Sequence, residues 1–224
     1  MRQKRRAAVV VLCILVAGCG STSNAASPEP TPTLKPRPLV ERELPRLLLS
    51  PQEASAIMGA PMTITESKTT MSDNSAVMAP LECLSIDGAA EAPVYAGSGF
   101  RAELDQSFNN GDAFTHYLKQ AVVLFPYAKP AAAFFETAVQ QWPACHEYTH
   151  TQSGSQWTVG EISQVDHILS TVATHVDAAA PGWACGRALA LRRNIVVDVN
   201  TCGADPADTA VRIAEEIGRK VSRQ

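Results

Sequence analysis

Apolar residues recur along this chain at two spacings, and each spacing predicts a kind of element. Leu47-Leu48-Leu49-Ser50-Pro51-Gln52-Glu53 places Ser50 to cap a helix, Pro51 at its first position and Glu53 to complete a capping box. Ala54, Ile57 and Met58 give that short helix an apolar face, and Gly59 ends it. Residues 60–90 are polar and loop-rich. Residues 94–105 and 117–125 read as strands, separated by a turn around Asn109-Asn110-Gly111-Asp112. The unbroken apolar run over 121–125 is that of a central strand. Across 130–142, Phe134, Ala138 and Trp142 repeat at helical spacing, flanked by Phe135 and Val139, until Pro143 stops the helix. Residues 156–162 and 166–176 suit two more strands joined by a short turn. A last helix has Asp205 as its cap, Pro206 in its first turn, and Ala210, Ile213, Ala214, Ile217 and Val221 as a buried stripe.

The amino terminus follows another pattern. Arg2, Lys4, Arg5 and Arg6 precede an apolar run over 7–16, too short to span a bilayer, and small residues lead into Cys19. This is an export signal. It is similar to a bacterial lipoprotein signal, with a lipobox at Val16-Ala17-Gly18-Cys19. That implies cleavage before Cys19 and acylation of its thiol and new amino terminus with palmitate-type chains. Several acyl chains bury far more CH₂ than one, so anchoring is expected to be stable. Residues 1–18 thus read as signal peptide and 19–45, rich in Ser, Thr and Pro, as a lipidated cysteine with an extended spacer. Residues 46–224 read as one domain. The expected location is the extracytoplasmic face of the cell membrane. Loss of the signal leaves 15 basic against 22 acidic residues, a net charge of −7. An acidic domain with no basic run excludes nucleic acid as a partner and disfavours polybasic docking on headgroups.

Four cysteines remain for the domain: Cys83, Cys145, Cys185 and Cys202. An even number in an oxidising compartment reads as two disulfides, and no pair has the CxxC spacing of a zinc ribbon. The stretch from Ala184 to Cys202 selects the pairing. Two apolar runs flank Arg192-Arg193-Asn194; with Arg193-Asn194 as a two-residue turn, Arg192 faces Ile195. Counting outwards, Cys185 lies opposite Cys202 at a non-hydrogen-bonded pair, where Cα atoms sit about 4.5 Å apart, within reach of a disulfide. Cys83–Cys145 follows by elimination. The same register puts Arg187, Leu189, Asp198 and Asn200 on one face, and Ala188, Ala190, Ile195, Val197 and Val199 on the other, to pack on a helix. Arg187, Asp198 and Asn200 form a polar patch, read either as a structural ion pair on a solvated face or as ligand-binding residues lining a cleft.

Catalytic signals are sparse, and no enzyme activity is expected. Ala96-Gly97-Ser98-Gly99 lacks the spacing of a nucleophile elbow, and no SxxK motif occurs. His146-Glu147-Tyr148-Thr149-His150 matches HExxH, the pattern of zinc hydrolases, which requires a helix. Pro143 upstream, β-branched Thr149 and Thr151, and Ser153-Gly154-Ser155 downstream oppose one, so histidines on a loop or strand are expected. His116, His167 and His175 have no partner visible in the sequence. Trp142, Trp157 and Trp183 are expected in the core. No glycine loop for phosphate occurs, and no metal or other cofactor is expected.

Several segments together resemble the PknH-like extracellular sensor domain family, which also occurs as stand-alone mycobacterial lipoproteins. They are Leu47-Leu48-Leu49-Ser50-Pro51, Phe134-Phe135, Gln141-Trp142-Pro143-Ala144-Cys145, Trp157-Thr158-Val159-Gly160, Gly182-Trp183-Ala184-Cys185 and Asn194-Ile195-Val196-Val197-Asp198-Val199. The resemblance implies a single α/β (α+β) domain, an antiparallel sheet with packed helices, two disulfides and a ligand cleft. Unlike a receptor of that kind, this chain is expected to carry no spanning helix or kinase domain. The expected role is a lipid-anchored envelope protein that binds or senses a small or lipidic ligand, possible partners being that ligand and an envelope protein. The alternatives are a zinc hydrolase built on His146, Glu147 and His150, and a protein-docking module. If the anchor reading holds, Cys19→Ala moves the protein from the membrane to the soluble fraction on phase partitioning.

Overall fold

The computed structural model describes residues 36–224; the expected signal peptide, Cys19 and the spacer up to residue 35 lie outside the described residues. In chain order the elements are α1 (Pro51–Met58), β1 (Thr63–Lys68), β2 (Met78–Ala79), α2 (Leu84–Asp87), α3 (Ala92–Tyr95), β3 (Ala102–Asn109) and β4 (His116–Leu124). They continue with α4 (Ala128–Gln141), β5 (Glu147–His150), β6 (Gln156–Val159), β7 (Ser163–Val165), β8 (Ile168–His175), β9 (Trp183–Arg192), β10 (Ile195–Ala204) and α5 (Thr209–Ser222). The strands form one antiparallel sheet in the order β1-β3-β4-β10-β9-β8-β6-β5-β2, with β7 paired to β8.

The β9–β10 hairpin has the register its turn dictates: Ile195 pairs with Arg192, Asn200 with Arg187, and Cys202 with Cys185. Arg193 accepts the left-handed conformation, φ 57°, that the short turn needs. Asn194, 1% exposed, is held there because its side chain bonds Leu39 N, Leu39 O and Phe125 O at 2.8, 3.0 and 2.8 Å. The turn thereby stitches the chain's entry to the end of β4. Both disulfides, Cys185–Cys202 and Cys83–Cys145, are present.

β10 is buried from Ile195 to Gly203 because both faces are covered. One face carries Ala188, Ala190, Ile195, Val197 and Val199 against Ala210, Ile213, Ala214, Ile217 and Val221 of α5, with α1 alongside. The capping box of α1 forms as expected, Glu53 N donating to Ser50 Oγ and Ser50 N to Glu53 Oε2, and Gly59 closes it at φ 71°. On the other face, Val123, Leu189 and Val196 pack with Ala131, Phe135 and Ala138 of α4, and with Tyr95. The sheet is thus the middle layer of three.

Several boundaries differ from expectation, each for a local reason. The packed body starts before residue 46: Leu39 and Leu44 are buried, and a 3-10 helix spans Glu41–Arg46. The strand expected at 94–105 begins only at Ala102, because Gly97 and Gly99 turn the chain at φ 73° and 79° after α3. α5 starts at Thr209, not near Asp205, since Asp205 and Ala207 take φ 57° and 46°. The loop expected over 60–90 contains β1 at the sheet edge, where solvent on both faces erases any alternation. A further exposed strand, β7, is inserted where a plain turn was expected. In the loop-entropy account, replacing Cys83 and Cys145 by Ala removes a 62-residue closure and lowers unfolding free energy by about 4 kcal/mol. The same change at Cys185 and Cys202, 17 residues apart, costs about 3 kcal/mol, as read from urea unfolding.

Candidate functional site

α4 turns Ala131, Phe135 and Ala138 towards the sheet and leaves Ala133, Phe134 and Thr137 beside a cleft of about 840 Å³. The facing wall is built from residues 81–85 and 93–98. Two ties set the distance between the walls. The Cys83–Cys145 bridge joins the turn ahead of α2 to the chain just past α4. Phe134 stacks on Tyr95 of the opposite wall, ring centroids 4.3 Å apart. Glu82 is the one charged lining residue; most others are apolar or uncharged polar. Ser98, held between left-handed Gly97 and Gly99, also lines it, and its buried Oγ has no hydrogen-bond partner among the described residues.

The wall over 72–98 hangs on buried polar groups of the sheet. Tyr95 Oη and Ala90 N donate to Asp198 Oδ2 at 2.8 and 2.9 Å. Asp198 is also ion-paired with Arg187, whose guanidinium donates to Gly88 O at 2.9 Å and lies 5.5 Å from the Trp142 ring centroid. Asn200 Nδ2 reaches Asp87 O at 3.4 Å, and Lys119 Nζ donates to Ser72 Oγ at 2.9 Å. Burial, with the Asp198 charge next, pushes the Tyr95 phenol well up from its ordinary value.

The register therefore assembled Arg187, Asp198 and Asn200 as expected, and Arg187 and Asp198 form an ion pair, though at 3%, 1% and 5% exposed the three lie in the interior and not on a solvated face. None lines the cleft between α4 and its facing wall, while Arg187 borders a separate cavity of about 310 Å³ beside Gly160 and Ala207. The cleft itself escaped the sequence reading, although Phe134 stood in the helical repeat, and Ala96, Gly97 and Ser98 in the segment that lacks nucleophile-elbow spacing.

The HExxH segment lies on β5 and the residue before it, not on a helix. Four residues of extended chain cover about 13 Å, which separates His146 from His150 beyond sharing one ion. His150 instead contacts Asp87 Oδ1 at 2.7 Å, and this hydrogen bond raises its pKa. Among the described residues no group of three or more His, Cys, Asp or Glu is placed to hold a metal ion. His175 stacks on Trp157, His167 lies in the β7–β8 turn, and His116 sits beside Thr115. Trp142 and Trp157 are core residues; Trp183 is half-buried. Arg187→Met strands Asp198 as an uncompensated buried charge, with an expected loss of about 3–5 kcal/mol in urea unfolding. Adding Asp198→Asn recovers part of that loss.

The family described as the PknH-like extracellular domain matches residues 39–220. The serine/threonine-protein kinases PknH of Mycobacterium bovis and Mycobacterium tuberculosis are each 33% identical over 97% of this chain. The chain spans 37% and 35% of their lengths. The crystal structure of the extracellular domain of PknH from Mycobacterium tuberculosis superposes with a TM-score of 0.78 at 32% identity, covering 84% of this chain and 99% of that one.

Proposed function

The chain belongs to the PknH-like extracellular domain family, and on that premise we propose that it is a ligand-capturing sensor module held on the outer face of the cell membrane. Its ligand is apolar or lipidic, and its partner is an envelope protein that reads the occupied state. The cleft beside α4 carries this reading. Its 840 Å³ lies within the usual range of about 300–1,000 Å³ for small-ligand sites, and its walls are mostly apolar with one unsatisfied hydroxyl. Each methylene moved from water into such a lining contributes about 0.8 kcal/mol, so an acyl chain is retained without a charged anchor. The lipobox at Cys19 supports the tether, and no helix among the described residues is long and apolar enough to cross a membrane.

The zinc-hydrolase alternative loses its support, since its motif lies on a strand. Titration of the mature protein with a fluorescent acyl-chain probe tests the reading. Thr137 lines the cleft on the exposed side of α4, so Thr137→Trp fills the space without entering the core. Saturable binding, weakened at least about tenfold by Thr137→Trp at an unchanged melting temperature, is the expected result. Equal binding by the two proteins removes the cleft as the site.

A further inference from the structure

Glu103 and Asp105 take no part in the contacts that hang the cleft wall on the sheet, yet both are buried on the sheet face where that wall is attached. They are 3% and 0% exposed, and among the described residues no group donates a hydrogen bond to any of their four carboxylate oxygens. Being two apart on β3, they project from one face. Register identifies that face: Asp105 and Asp198 both pair with Ala121 of β4, and Glu103 and Val196 both pair with Val123. It is the face that Tyr95 and Ala90 cover through Asp198.

The charges that reach the two acids come from several elements. Lys119 of β4 has its Nζ 3.9 Å from Asp105 Oδ2, while it donates to Ser72 Oγ. Lys68 and Glu66 of β1 act on Asp105, and Asp198 of β10 acts on both acids. Arg187 of β9 is engaged by Asp198, and Tyr95 of α3 feels the charge of Glu103. Tyr117 of β4 and Glu91 of the covering segment complete the set; Glu91 accepts from Asn74 N and Nδ2 at 2.9 and 2.6 Å. Asp105 thus has one ammonium at the edge of ion-pair range. Glu103 has no cation in contact.

An unpaired ionised carboxylate is far costlier to bury than the neutral acid. Such a group either keeps its proton or the structure over it gives way. We propose that Glu103, seconded by Asp105, is a proton-operated latch on the segment over 72–98: neutral acids let the segment close on the sheet, and ionisation loosens it. Because that segment is one wall of the cleft, the latch would regulate ligand entry, a consequence that rests on the proposed ligand site; the latch itself does not.

Burial, then repulsion from Asp105, raises the Glu103 carboxyl from 4.5 to about 7, and burial raises Asp105 as well. The folded state therefore holds a proton that the open state releases. Closure is favoured in acid, weakens as pH rises above about 4.5, and levels off above about 7 once the acid is ionised in both states.

Hydrogen exchange of the mature protein, corrected for the intrinsic pH dependence of exchange, tests the latch without any ligand. The informative amides are Ser72, Gly88, Ala92 and Tyr95, which are hydrogen-bonded within the covering segment. Between about pH 5.5 and pH 8.5 their protection should fall about tenfold or more, while β9, β10 and α5 hold theirs. Glu103→Gln, and Glu103→Met as an apolar second variant, should keep protection nearly flat over that range. Protection independent of pH in the parent overturns the proposal. So does a parent-like pH dependence in both variants, or an equal loss over the whole domain.

Discussion

Asp198 is the interaction on which the rest of this molecule depends. One buried carboxylate pairs with Arg187 across the hairpin and accepts hydrogen bonds from Tyr95 and Ala90 of the covering segment. Taking both charges out of water is expensive, and the cost is met only because their polar atoms are used on several sides. The pair is therefore better understood as a locating device than as a source of net stability. It specifies where residues 86–95 must sit, and Ala90 holds φ 53° with its N–H aimed at the carboxylate.

From that attachment the cleft follows. With Tyr95 positioned, Phe134 of α4 has a ring to stack on. With Cys83 tied to Cys145, the turn before α2 cannot drift from the end of α4. The two walls are held apart by covalent and aromatic contacts, leaving space rather than a collapsed interface. On the opposite side of the sheet α5 buries its apolar stripe, and the cavities beside it are smaller, about 370 and 310 Å³. The two packed faces meet at β10.

The burial of Glu103 and Asp105 is likewise an outcome of the tertiary structure. Glu103 and Asp105 alternate with Leu104 and read as the outward face of an ordinary amphipathic strand. Their burial, to 3% and 0% exposed, is set by packing from outside the strand. Periodicity along β3 holds no information about it.

By itself the sequence determined those features that depend on neighbours within a few residues, or on a register that a short turn imposes. The capping box at Ser50, the stripe on α5, the pairing of Cys185 with Cys202 and the partition of faces on β9 and β10 are of this kind. Each is set by local geometry with a short period, so the residues suffice. Tertiary structure alone decided that Arg187 and Asp198 are buried and not solvated, that Ser98 lines a cleft, and that His150 meets Asp87. Those outcomes turn on where a distant segment comes to rest, and long-range packing sets that position, which no local pattern encodes.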